Sequence, residues 1–246
     1  MRELPERSTA GVTRRSMFYS CLPARGRPLC VALVLVLVSA GSAAASAPAP
    51  VAVGEILAAY NAGIVRERAL IESLSVLQTM IDPQEDGSEK RSEAMLVYTA
   101  DGGMERRVIF SETSYPAGDY TLESLIGPEL HDDEYRIEYA GIDTVDGEAA
   151  HRLLVEAIVR DSRHFDGDIW IAESDLTPVR VAGQVADPPF PVVLITLDKR
   201  FGRGPDGIRL LRRHSGEAEV NLLLGRKRGV RHIFYDDYVV RARVED

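Results

Sequence analysis

The chain has 246 residues, 45% of them hydrophobic, with 29 basic and 38 acidic side chains and a formal net charge of −9. Its two cysteines, Cys21 and Cys30, both fall within the first 47 residues, so the rest of the chain forms neither a disulfide nor a thiolate metal site. That remainder, residues 48–246, has the length of one domain and is long enough to bury a core.

The first element is an export signal. Leu29–Val38 is ten uninterrupted apolar residues, preceded by six basic side chains and followed by the small-residue stretch SAGSAAASAPAP. A charged leader, a short apolar core and A-x-A sites ending at Ala45 and Ala47 form a cleavable secretory pattern over residues 1–47. Ten apolar residues fall well short of the ~20 that span a bilayer. Arg14-Arg15 gives Thr13–Phe18 the look of a twin-arginine signal, and Met17 is an internal candidate start. Neither cysteine follows the apolar core, where a lipid anchor needs one. The mature chain is therefore expected outside the cytoplasm, starting near Ser46 or Pro48 and without acylation.

Beyond the signal, Val53, Ile56, Leu57, Tyr60 and Ile64 recur at helical spacing with Glu55, Arg66 and Glu67 off the stripe, which predicts an amphipathic helix. Ser73–Ile81 alternates as a strand, with Leu74, Val76 and Met80 on one face. Ser92–Thr99 and Glu105–Phe110 flank Asp101-Gly102-Gly103, a hairpin signal. Tyr120–Ile126 reads as a second, short helix, with Asp119 as its N-cap and Gly127-Pro128 stopping it. Tyr135–Ile142 and Ala149–Ala157 flank Asp146-Gly147; Asp168–Ala172 and Val179–Val185 join through Asp175–Pro178. Val192–Phe201 and Ile208–Arg213 flank Gly204–Gly207, and Ala218–Leu224 and Val230–Val240 end the series.

Eleven short strands joined by tight turns predict one antiparallel meander. A sheet of that length curls. The expected fold is mainly β with one or two helices (α+β), a large curved antiparallel sheet forming a half-barrel lidded by helices around an apolar cavity. Val193–Leu197 and Leu222–Leu224 are apolar on both faces, which suits a sheet wrapped around something. The cavity is expected between the sheet and the Val53–Ile64 helix, with Ile56, Leu57, Tyr60, Leu74, Val76 and Trp170 as its candidate lining.

A search for catalytic chemistry returns no constellation. Gly202–Gly207 matches G-x-G-x-x-G, but it carries proline and lies between two strands, so it reads as a hairpin turn and not a phosphate loop. His164, Asp166 and Asp168 lie close together without a second ligand cluster, and Asp166-Gly167 is better read as a turn. His131–Glu134 reads as a solvated acidic loop. There is no H-E-x-x-H or G-x-S-x-G. The expectation is no enzyme, no metal and no cofactor.

Charge is unevenly placed. Residues 48–198 hold 11 basic and 29 acidic side chains, whereas residues 199–232 hold 10 basic and 3 acidic. Either strands of opposite charge sit side by side, or a basic edge with Arg226, Lys227 and Arg228 faces an anionic partner such as phospholipid head groups. The exported address argues against nucleic acid.

Two segments resemble a known family. Gly141, Val145, Gly147, Leu153 and Val155 match a "G-x-x-x-V-x-G…L-x-V" strand pair, and Ile169, Trp170, Ile171, Pro178 and Arg180 match an "x-I-W-I-D-x-x-x-x-x-P-x-R" signature with Ala172 at its aspartate. With the helix running into Ile71–Met80 and its Gln78, and the aromatic stretch 233–240, these resemble the periplasmic LolA/LolB-like superfamily of outer membrane lipoprotein-sorting proteins. The resemblance implies an eleven-stranded half-barrel whose helix-lidded cavity holds acyl chains. It implies a carrier of lipoproteins or lipids toward the outer membrane, working with membrane-embedded donor or acceptor proteins. The alternative is an RseB-like sensor of lipid or lipoprotein in the envelope.

Overall fold

The structure, a computed structural model, describes residues 53–100, 103–113, 121–223 and 225–243. The export signal with its cleavage sites, Asp101-Gly102 of the first hairpin, Asp119 and Tyr120 of the second helix, and Leu224 lie outside them.

Helix α1 (Val53–Leu70) passes into strand β1 (Ile71–Pro83) without a loop. Then follow β2 (Glu89–Thr99), β3 (Gly103–Ser111), α2 (Leu122–Ile126), β4 (Tyr135–Val145), β5 (Glu148–Ala157), β6 (Phe165–Ala172), β7 (Pro178–Val185), β8 (Val192–Arg203), β9 (Arg209–Leu222) and β10 (Gly225–Ala242). All ten strands join one antiparallel sheet in the order β3-β2-β1-β10-β9-β8-β7-β6-β5-β4. Among the described residues the strands number ten, not eleven, because β9 runs unbroken through Ser215-Gly216, where the sequence suggests a gap. Gly216 serves close approach: a Cβ there would lie 2.8 Å from the Thr196 carbonyl oxygen of β8.

The sheet is also not one meander. β1 pairs with β10 in its middle, and β3 and β4, neighbours in sequence, are its two edges. On the β4 side of the connection between them, α1 holds residues 121–134 in place. Tyr60 Oη donates to the Pro128 carbonyl (2.6 Å), and Asn61 exchanges two hydrogen bonds with the Leu130 backbone (2.6 and 2.9 Å). Arg68 pairs with Glu123 at 2.8 Å and with Glu129. The short helix is capped by Thr121, whose side chain accepts from the Ser124 amide, and ends as expected at Gly127. Gly127 has φ +123°, and a Cβ there would meet Pro178 at 2.9 Å.

Ten strands span roughly 40 Å at their ordinary spacing, four times the width of a helix. Yet Ile56, Leu57, Tyr60 and Ile64 of α1 share one core with Leu96 of β2, Leu74 of β1, Tyr235 of β10, Leu210 of β9, Ile169 of β6, Leu153 of β5 and Tyr135 of β4. Only a sheet bent around the helices brings those strands together. The result is an open half-barrel, as the sequence predicts. One crease is visible in the register, where Gly167 of β6 faces Gly183 of β7. A Cβ on Gly183 would lie 2.1 Å from the Asp166 carbonyl oxygen, and one on Gly167 would lie 2.2 Å from that of Ala182. Only glycine allows that approach.

A buried ionic group lies where α1 meets the start of β9. Arg209 is 3% exposed and donates to both carboxylate oxygens of Glu148 (2.9 and 3.0 Å), with Asp175 at 3.7 Å. Glu67 of α1 is buried beside it, with one carboxylate oxygen unpartnered among the described residues. Burial pushes the Glu67 pKa up, and the Arg209 backbone amide partly opposes this.

Candidate functional site

The space between α1 and the sheet is filled by side chains. Ile56, Leu57, Tyr60, Leu74 and Val76 are all buried in the main core, and none of them borders either of the two cavities described below. Burial raises the Tyr60 pKa. Trp170 is on the other face of the sheet. Alternation along β6 puts Ile169 and Ile171 in the core and Trp170 in a second cluster with Val145, Ala150, Ala172 and Val179. Its indole N–H donates to Asp143 (3.1 Å), and the guanidinium groups of Arg152 and Arg180 lie 5.5 and 4.8 Å from the ring centroid. The half-barrel also holds two cavities bordered by other residues.

The larger space is a cleft of about 1010 Å³ between the end of β1 and strands β8, β9 and β10. Its walls include Pro83, Ile195, Ala218, Val230 and Ile233, and its charged residues include Asp82, Glu85, Lys227 and Arg231. Arg231 donates twice to Asp82 (2.6 and 2.7 Å), tying β10 to its neighbour β1 in the cleft wall. A second cavity of about 240 Å³ adjoins it, with Ile195 and His214 common to both. Phe165, Val181, Val185 and Leu197 supply its apolar wall, and Arg163, His164, Lys199 and His214 its bases.

Lys199 of β8 and His214 of β9 are direct cross-strand partners. Burial pushes the Lys199 pKa down. Burial, reinforced by Lys199, pushes that of His214 down to about 4. Sequence reading missed both residues. The available signal was period-two alternation: Ile195, Leu197, Lys199 and Phe201 fall on one face of β8 up to its irregularity at Arg200/Phe201, with a lysine where an apolar residue is due.

The basic run is largely neutralised within its own hairpin. Arg226 pairs with Glu219 at 2.9 Å and Arg228 with Glu217, both on β9. Lys227 and Arg228 nevertheless line the larger cleft, and Lys227 has no ion-pair partner among the described residues. Leu222 and Leu223, expected to pack on both faces, are exposed at the hairpin tip. The acidic groups near His164 have structural partners: Asp161 accepts from the His164 ring (2.7 Å), Asp166 takes Arg160 (2.8 Å) and the Ala157 amide (2.9 Å), and Asp168 takes Arg152 (2.7 Å). Gly202–Gly207 forms the β8–β9 hairpin turn, with Asp206 at φ +57°. Among the described residues, no three His, Cys, Asp or Glu side chains are grouped to hold a metal, and no helix is long and apolar enough to cross a membrane.

No model of a known protein family matches the chain, and no curated protein matches it. Solved structures are similar at low identity. A LolA superfamily protein from Nitrosomonas europaea is 13% identical, with 76% of this chain and 93% of that one covered, at a TM-score of 0.41. A putative outer membrane lipoprotein-sorting protein domain from Vibrio parahaemolyticus is 10% identical (76% and 94% covered, TM-score 0.40). A DUF1329 family protein from Desulfovibrio piger is 16% identical (77% and 95% covered, TM-score 0.39).

Proposed function

We propose that this chain is an exported carrier that shelters the acyl chains of a lipid or lipoprotein as they cross an aqueous compartment toward the outer membrane. The observation that supports it most is the pair of adjoining cavities in the half-barrel, about 1010 and 240 Å³, with apolar walls from Phe165, Val181, Ile195, Leu197, Val230 and Ile233. The larger lies at the upper end of the ordinary range for ligand sites. Each methylene moved out of water contributes roughly 0.8 kcal/mol, so about twelve of them bring on the order of 10 kcal/mol toward offsetting the entropy of association. No covalent step is required. Export rests on the secretory pattern of residues 1–47, and the resemblance of residues 139–183 to the LolA/LolB-like superfamily implies the same role.

The test is titration of purified mature protein with Nile red, a neutral polarity-sensitive dye, followed by displacement with oleyl alcohol or monooleoylglycerol. Saturable binding to the folded protein, displaced by both lipids and weakened at least about tenfold by Ala218→Trp in the cleft wall, is the expected result. Absence of displacement, or dye bound only after unfolding, sinks the carrier reading.

A further inference from the structure

One row of side chains crosses the concave face by register from Ile169 through Val181, Lys199, His214 and Ile233 to Met80. Four of the six are apolar, and the two bases stand together at the centre. Direct antiparallel partners have Cβ atoms about 5 Å apart, where like charges destabilise a sheet. Placing a base among apolar neighbours adds a desolvation cost unless a partner offsets it. Neither Lys199 nor His214 makes a hydrogen bond or an ion pair among the described residues. Asp198, next to Lys199 in the chain, is held by Arg180 through two hydrogen bonds (2.8 and 3.1 Å). Asp198 pairs in register with Ser215 and Ala182, in the row that alternates with that of Lys199.

The cavity that both bases line also receives Arg163 and His164, and no carboxylate lines it. His164 is already engaged by Asp161, and Arg163 by the same carboxylate at 3.1 Å. Lys199 and His214 are thus left as the bases without a hydrogen-bonded or ion-paired carboxylate among the described residues; Asp198 only partly opposes the downward push on the His214 pKa. Folding alone has no use for this arrangement, since a leucine or methionine at position 199 would continue the apolar row.

We propose that Lys199 and His214 form the anion-binding end of the acyl site: the ligand is an amphiphile with one anionic group, a carboxylate or a phosphate, whose head rests on the two bases. Its chain runs past Ile195, the apolar side chain common to both cavities, into the larger cleft. The assignment rests on the carrier reading above and adds to it a site for the head group.

Displacement of Nile red is compared for oleate, oleoyl lysophosphatidate and oleyl alcohol, in the wild type, Lys199→Met, Lys199→Arg and His214→Gln. The wild type is expected to bind at least one anion about tenfold more tightly than the alcohol, as one charge-assisted hydrogen bond suffices to provide. Preference for oleate alone identifies a carboxylate head, and preference for lysophosphatidate alone a phosphate. Lys199→Met is expected to abolish the preference while alcohol affinity stays within about twofold and the melting temperature does not fall; Lys199→Arg retains the preference. Equal binding of anions and alcohol by the wild type, or a preference that survives Lys199→Met combined with His214→Gln, overturns the anion site and leaves the carrier reading intact. Failure of all three lipids to displace the dye overturns the carrier reading, and the anion site falls with it.

Discussion

Replacing Gly183 by alanine probes the crease on which the half-barrel depends. The new methyl would begin 2.1 Å from the Asp166 carbonyl oxygen and 2.9 Å from the Gly167 Cα. A carbon–oxygen contact is comfortable only beyond about 3.3 Å, so β6 and β7 must part by about 1 Å. The obstructing atom belongs to backbone, and Asp166 is anchored through its side chain to the Ala157 amide and Arg160. Overpacking of this kind costs about 1–3 kcal/mol, and a disturbed ladder hydrogen bond adds roughly 1 kcal/mol. The expected loss is about 3 kcal/mol, measured by equilibrium urea unfolding. Gly229→Ala in β10 is the control, because a Cβ there meets nothing within 4 Å and the backbone is not left-handed. It should be neutral or stabilising by up to about 1 kcal/mol. Combining Gly167→Ala with Gly183→Ala should cost less than the sum, since strands already parted accept the second methyl. If Gly183→Ala unfolds within about 0.5 kcal/mol of Gly229→Ala, the close contact and the crease argued from it are wrong.

Arg209→Met should destabilise by about 3–5 kcal/mol in the same unfolding assay, because it leaves Glu148 and Glu67 without their buried cation. Glu67→Gln should cost far less, as it removes a charge that burial already disfavours; equal losses for the two variants would contradict this account. The folded pKa of His214, about 4, lies below the ordinary histidine value, so the unfolded chain takes up the proton first as pH falls. The stability His214 contributes is complete above about pH 6.5 and is lost toward pH 4, amounting to about 2 kcal/mol between pH 7 and pH 5. His214→Gln should therefore show a shallower acid loss than the wild type by that amount, and parallel curves would remove His214 from the interior.

Local periodicity carries most of this fold. The apolar stripe of α1 and the alternation of β1, β2, β4 and β5 are visible because each faces the core on one side only. The pairing of β1 with β10 left no local trace, since register between strands so distant in sequence depends on the closed shape. Gly216 misleads for a related reason: glycine punctuates chains often enough to suggest a break, whereas here it makes room for β8. Trp170 is a candidate for the cavity wall in the sequence, yet the flanking isoleucines place it on the opposite face by simple alternation. Lys199 and His214 escaped notice because a charged side chain in a strand is ordinarily solvated, and only the three-dimensional register shows these two among apolar neighbours.

The position of β10 sets an order of assembly. Ile71 lies opposite Ala242 and Arg213 opposite Phe234, so this one strand stitches a three-stranded arm to a six-stranded one. Each arm consists of sequence-adjacent hairpins that zip up locally and quickly, whereas the stitch closes a loop spanning nearly the whole described chain and must come late. Until it does, β1 and β10 each present a bare ladder of amide and carbonyl groups, a template for any passing strand, including the same edge of a second copy. A chain that loses its final strand is thus predisposed to pair with its neighbours instead of with itself.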